Sequence, residues 1–516
     1  MSKRRVGKLR KYLAVFFGML SLFFAGIALK NKLQGTAEVG EDTRRTDATC
    51  CRWGAETEAT ARCAGRLVFA VRGDADDFKP SKAARKTLAD HYVSVCIPPQ
   101  KYPADIAVID HFFASAIGRK TAFKAGIFSP NLVPIYMTSK VETANGRVVP
   151  NLENAILGAA AQFEKNPTAL KSKARTAARI ADAPSDFAIP ADIFAAGGRL
   201  GFFYSESARL FTYFSNPRTL GASPAELSEN ARLAFRIAET DIRQLAARAA
   251  SLSALEMLCA RIASPAETPT SRLLFLRALS ESEYVAKNPK AARFFLHFAG
   301  RIADAPEQAQ PFAPDKKPQV RDIALTVPIL LRAYGFSGDN RYLKRAHAAG
   351  KILERAAASR GVMESVLGEK SEASALEYVL CARAFFELSK FGSAQNARNA
   401  VRVLDRLDEL FMTPLGVWSI NSKNSAFAKI SRTVFTRDSE LPSYVGEAAQ
   451  LFAEDKNLKN RAAAPVLKRL AAAAIATSPL ESGQWGSLKL SLVPSFESPK
   501  MRAPEKSVAA TDTLGR

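Results

Sequence analysis

The hydrophobic pattern begins with an apolar run, Tyr12 to Leu29, that contains no charged residue; six Lys/Arg precede it, and Lys30 and Lys32 follow. A membrane-spanning helix needs roughly 17 to 25 mostly apolar residues. Lysines directly after the run fit a stop better than a small-residue cleavage site, so the pattern predicts a membrane anchor over residues 1–30 rather than a cleaved signal. The excess of positive charge before the span places the N-terminus in the cytoplasm and the bulk in the periplasm or outside the cell. A polar linker follows over 31–49.

From residue 50 to 151 the periodicity changes. Compact β-branched and aromatic runs, "RLVFAV", "YVSVCI" and "VPIYMTS", read as strands. Between them, "GAETEATARCAG", "SKAARKTLAD" and "ADIAVIDHFFASAIG" read as helices. Asn145-Gly146 in "ETANGRVVP" marks a hairpin turn after the third strand. The order β-α-β-α-β-β is that of a small α/β layer with thioredoxin-like topology.

From 152 to 490 the apolar residues recur at helical spacing. Ala324, Val327, Leu331 and Tyr334 mark one apolar face, and Tyr342, Ala346, Ala349 and Leu353 mark its partner. "RIADAP" at 179–184 and 301–306, with "RIASP" at 261–265, reads as a helix end followed by a proline stop. Helical hairpins of this kind stack as a solenoid or close into an α/α toroid. The Gly-Trp loops "PLGVWSI" and "SGQWGSL" favour the toroid, because such loops can cover the mouth of a central cavity. The expected fold class is therefore α/β plus all-α, ending in a disordered tail over 491–516.

Composition changes this picture little. With 516 residues, 47% of them apolar, the chain can bury more than one core. The formal charge of +23 comes partly from the first 32 residues. The remaining basic residues are spread through amphipathic helices such as "ALKSKARTAARIADA", without aromatic interleaving, so no nucleic-acid module is expected. An anionic membrane surface, a cell-wall polyanion or simple solvation accounts for them.

Several segments carry a resemblance. "RWGAETEATARCAGRLVFAV" is similar to a Trp-Gly, acidic helix and first strand, and "DFKPSKAARKTLADHYVSVCI" to the helix and strand that follow it. "ASALEYVLCARAFFEL" and "TRDSELPSYVGEAAQLF" are similar to an acidic-Tyr segment and an Asp-x-x-x-Pro-Ser motif. Together they resemble the spermatogenesis-associated protein 20 family, which joins a thioredoxin-like domain to an α/α barrel of six-hairpin type. The resemblance implies a cis-proline just before the third strand, for which Pro130 and Pro134 are the candidates. It also implies a Cys-His-Trp-Cys-His motif after the first strand. Here the chain instead runs "RGDADDFKPSKAAR". Disulfide exchange needs a thiolate at a helix N-terminus and a second thiol in reach, and this stretch has neither. Asp74, Asp76 and Asp77 fit a helix-capping role.

The candidate chemistry is correspondingly thin. Cys50 and Cys51 precede Trp53; adjacent cysteines can bridge each other only in a strained ring, and zinc-ligand spacing is missing. A disulfide from one of them to Cys63 or Cys96 suits an oxidising compartment. Cys259 and Cys381 read as core residues. His91, His111, His297 and His347 form no motif, so neither metal nor cofactor is expected. Glycoside hydrolysis needs two carboxyl groups across a cleft. Glu377 and Asp438 are the candidate acid and base, with Glu364, Tyr378, Trp418, Glu440 and Trp485 as candidate cavity or binding residues. Solvated helix faces and packing aromatics are the competing account of each. The expectation is a membrane-anchored protein that binds a protein or glycan at the cell envelope without catalysis. A carbohydrate-active barrel is the alternative, and thiol chemistry through Cys50, Cys51 or Cys63 comes third.

Overall fold

A computed structural model describes residues 51–493, apart from 54, 74–79, 118–121, 142–147, 173–197, 217–218, 220, 241–243, 307–308, 359–361, 426–427, 429–433, 439 and 476–481. The expected anchor and linker, Cys50, the acidic run at Asp74, the Asn145-Gly146 turn and the first "RIADAP" lie outside the described residues, as does most of the expected tail. Among the described residues no helix is long and apolar enough to cross a membrane.

The chain forms an α/β layer followed by helices, in two compact units. One unit takes in residues 1–188, 356–378 and 404–435; the other takes in 189–355, 379–403 and 436–516. The division is discontinuous, whereas the sequence pattern led us to expect a single cut at 151/152.

In the first unit the elements run β1 (Cys51–Arg52), α1 (Ala55–Ala64), β2 (Leu67–Arg72), α2 (Lys82–His91), β3 (Tyr92–Ile97), α3 (Pro103–Ile117), β4 (Ala125–Phe128), β5 (Pro134–Thr138) and α4 (Pro150–Lys165). The sheet order is β1-β3-β2-β4-β5. β1 and β2 pair parallel with β3, β4 pairs antiparallel with β2, and β5 pairs antiparallel with β4. Leu67 to Val71 of β2 are all buried, as a central strand covered on both faces requires. On one face Leu67, Phe69 and Val71 form a core with Leu152, Ala155, Ile156 and Ala159 of α4. α4 therefore belongs to this layer, although the expected boundary fell inside it.

β4 and β5 form a hairpin that the sequence pattern did not announce. Gly126 weakens the strand signal of β4, yet the site requires it, since a Cβ there would stand 2.8 Å from the Tyr136 carbonyl oxygen. The cis-proline expectation is corrected: neither Pro130 nor Pro134 follows a cis bond. The chain reverses instead through Leu132, a buried residue at φ 60°, whose N–H donates to the Ser129 carbonyl at 2.9 Å. A left-handed leucine costs on the order of 1–2 kcal/mol, and burial of its side chain offsets this.

The second unit contains α5 (Gly198–Ser215), α6 (Pro224–Thr240), α7 (Leu245–Ala263), α8 (Pro269–Ser280), α9 (Glu283–Lys287), α10 (Pro289–Asp304), α11 (Val320–Ser337) and α12 (Asn340–Ala357). After these come α13 (Ala375–Ser389) and α14 (Ala394–Phe411), each partly in this unit, then α15 (Tyr444–Glu454), α16 (Ala464–Ile475) and α17 (Gly486–Leu490). The anticipated faces are present: Ala324, Val327 and Leu331 are buried, as are Tyr342, Ala346, Ala349 and Leu353. Gly338, at φ 70°, closes α11 by donating to the Tyr334 carbonyl at 2.7 Å, an αL cap that glycine adopts without strain.

Candidate functional site

The chemistry of the helical unit is concentrated in its interior. α6 carries Glu229, Arg232 and Arg236 at i, i+3 and i+7, and α15 carries Glu447, Gln450 and Glu454 at the same spacing, so each triplet lies along one helix face. α8 adds Arg277, the turn after it adds Glu281, and α13 adds Arg383. Arg277 grips Glu447 with both terminal nitrogens, at 2.7 and 2.8 Å. Arg232 reaches Glu229 at 2.5 Å, and Glu281 and Gln450 at 2.9 Å. Arg236 binds Glu281 at 2.9 Å, and Arg383 binds Glu454 at 3.1 Å. Arg232, Glu229, Glu447 and Gln450 have no exposed surface.

Burial raises a carboxyl pKa, and neighbouring charge decides the outcome. At Glu447 burial pushes upward, but Arg277 and Arg232 overcome it and hold the group at about 2. Glu281 is likewise held well below the usual range against its burial, by Arg232 and Arg236. At Glu229 burial wins over Arg232, with Glu447 adding to the rise.

Asp438 lies beside this lattice. Its Oδ1 accepts the Ser443 N–H at 2.8 Å and the Ser487 hydroxyl, and its Oδ2 accepts the Ser487 N–H at 2.9 Å. Burial, then the Glu229 charge, pushes its pKa up to about 8. The "SGQWGSL" segment that was expected to cover a cavity mouth is packed inward at this point. A Cβ on Gly486 would stand 2.9 Å from that of Glu229, and one on Gly446 would stand 2.3 Å from that of Ser487. Small residues thus let α6, α15 and α17 meet. Trp485 is half-buried, with the Arg437 guanidinium 5.5 Å from its ring centre. Glu440 is exposed.

The other sequence candidates fall in the first unit and have structural partners. Glu377 caps the start of α13: its Oε2 accepts the Ser374 N–H at 2.9 Å and the Ser374 hydroxyl. The expected pairing of Glu377 with Asp438 as acid and base thus joins residues of different units, and each is occupied by its own local hydrogen bonds. Tyr378 accepts the Met363 N–H at 2.8 Å and packs on Phe411. Glu364 accepts the Gly368 N–H at 2.9 Å, closing its own loop. Trp418 is fully buried and donates to Asp408 at 2.7 Å, so its ring offers no open face for stacking.

Of the candidate disulfide cysteines, the side chains of Cys50 and Cys51 lie outside the described residues. Cys63 is an exposed thiol on α1, and Cys96 is a half-buried thiol whose register partner in β1 is Arg52. No thiol stands at the start of α2, where Ser81 caps the helix by accepting the Ala84 N–H at 3.3 Å. Among the described residues no group of three or more His, Cys, Asp or Glu could hold a metal ion.

One further pair was not foreseen. Trp53 donates its indole N–H to Asp105 at 2.8 Å, and burial lifts Asp105 to about 6. Burial, with the Asp105 charge second, lifts Glu372 to about 7. The Glu372 N–H donates to the Lys101 carbonyl at 3.0 Å, which fastens its loop beside α3.

No protein-family model matches the chain, and no curated protein matches it.

Proposed function

We propose that the chain is a membrane-anchored, extracytoplasmic relative of the spermatogenesis-associated protein 20 family, with a thioredoxin-like domain that lacks redox thiols and an α/α toroid. We propose further that it acts by binding a protein or glycan partner at the cell envelope. The sheet supports the thioredoxin-like reading: three parallel strands in the order β1-β3-β2 are extended by antiparallel β4 and β5. The non-catalytic reading rests on one observation. Among the described residues the two most deeply placed candidate carboxyls of the helical unit are already engaged, Glu447 by Arg277 and Asp438 by Ser443 and Ser487.

The test is to assay the full chain for insulin reduction and for hydrolysis of a panel of aryl glycosides, and in parallel for retention on a glycan array and capture of envelope proteins. The expected result is binding without turnover. Glycoside turnover that Asp438→Asn abolishes would replace this reading with the carbohydrate-active one. That alternative draws on the raised pKa of Asp438 and on half-buried Trp485, two residues from Ser487.

A further inference from the structure

The outer surface of α12 carries a feature that the interior lattice does not use. Lys344, His347, Ala348, Lys351 and Arg355 line an open groove along this one helix. Lys344, Lys351 and Arg355 are exposed, while His347 and Ala348 are half-buried. These three cations have no ion-pair partner among the described residues, although Arg341 on the same helix pairs with Asp304 and Asp339. The one carboxylate of α12, Glu354, is half-buried and accepts the Asn399 amide at 3.1 Å, so it does not neutralise the stripe.

Helical rise sets the spacing. Seven residues separate Lys344 from Lys351, about 10 Å along the axis, and four separate Lys351 from Arg355, about 6 Å. Positive charges therefore recur at one or two helical turns along a straight line. Ala348 lies between the two lysines, and its small side chain leaves room for a chain to rest there.

We propose that this groove binds a linear polymer carrying phosphate groups, laid along α12 with Lys344, Lys351 and Arg355 each on one phosphate. Lysine supplies a compact point charge, and arginine adds the forked donor geometry that suits phosphate oxygens. A bilayer does not fit, because the only apolar lining residue is an alanine, which offers nothing to insert among lipid chains. Single-stranded nucleic acid does not fit either, since the lining includes no phenylalanine, tyrosine or tryptophan on which bases could stack. This assignment goes beyond the envelope-binding reading and does not depend on it.

The test uses the full-length protein in detergent with inorganic polyphosphate as probe, followed by fluorescence anisotropy across a salt series. Three phosphate contacts predict an affinity that falls on the order of 20-fold between 50 and 200 mM salt, by analogy with single-stranded polyelectrolytes. The triple variant K344Q/K351Q/R355Q is expected to bind at least about tenfold more weakly and to lose most of the salt dependence. K344R/K351R should bind as wild type does. K82Q/K86Q/K165Q removes equal charge from exposed positions elsewhere and should leave affinity unchanged. Circular dichroism confirms that each variant is folded. The proposal is overturned if polyphosphate does not bind, if the control triple weakens binding as much as the α12 triple, or if anionic vesicles or single-stranded DNA compete more strongly than polyphosphate at equal phosphate concentration.

Discussion

Replacing Glu447 by glutamine perturbs the interior lattice at its best-paired member. Among the described residues the lattice balances Arg232, Arg236, Arg277 and Arg383 against Glu229, Glu281, Glu447 and Glu454. Glu447 accepts both Arg277 bonds and lies 3.4 Å from Arg383, with no exposed surface. The amide removes one negative charge and turns one acceptor into a donor aimed at a guanidinium. Leaving a buried charge uncompensated costs about 3–5 kcal/mol. The depressed pKa leads to a similar magnitude. A carboxyl held at about 2, against an ordinary value near 4.5, contributes about 3 kcal/mol. Its folded pKa is depressed, so this stability is present above pH 4.5 and is lost as pH falls toward 2. Urea unfolding followed by far-ultraviolet circular dichroism at pH 7 and pH 3.5 measures both. E447Q should cost several kcal/mol at pH 7 and should show a flatter acid limb than wild type. R277M/E447M deletes a matched pair, leaves the remaining charges balanced, and should cost clearly less than the two single changes added together. If E447Q lies within about 1 kcal/mol of wild type, or if the double change is fully additive, the lattice does not hold the unit together in this way.

The raised carboxyls give the opposite pH dependence. Asp105 binds its proton more tightly when folded, so its contribution is complete below about pH 4 and is lost as pH rises toward 6; Asp105→Asn keeps an acceptor for Trp53 and should flatten Tm against pH across that window. Gly446→Ala sets a methyl 2.3 Å from the Ser487 Cβ and should lower Tm by at least the amount expected for an overpacking loss of about 1–3 kcal/mol, whereas Gly65→Ala, in open space but at φ 62°, should cost about 1 kcal/mol. Trp418→Phe removes the bond to Asp408 and should cost about 1–3 kcal/mol in thermal denaturation while leaving glycan retention unchanged; a selective loss of retention would return Trp418 to the list of binding residues.

Periodicity reads the fold well where one principle governs a segment. β2 and β3 are visible because both are short β-branched runs bounded by helices, and α11 and α12 because each keeps one apolar stripe. β4 was not legible, since its central glycine answers to a contact with Tyr136 that only the paired hairpin creates. The joining of 356–378 and 404–435 to the N-terminal residues was also hidden. It depends on long-range bonds such as Glu372 to Lys101, for which local pattern carries no signal.

The lattice stayed hidden for a related physical reason. Charge on a helix is usually solvated, so Glu377 and Asp438 stood out only by their neighbours, and Glu229, Arg232 and Arg236 were not among the candidates. One signal was present in "ELSENARLAFRIAET". Its charged residues alternate with Leu227, Leu233, Phe235 and Ile237 all round the helix and leave no side for water. A helix patterned this way is buried on every face, and any charge it carries must then find an opposite charge at matching spacing on a neighbour. α15 supplies that complement with Glu447, 3.6 Å from Arg232, and Glu454, 3.7 Å from Arg236, and with Gln450 between them. Searching for such paired stripes would have drawn attention to the lattice before the carboxylates.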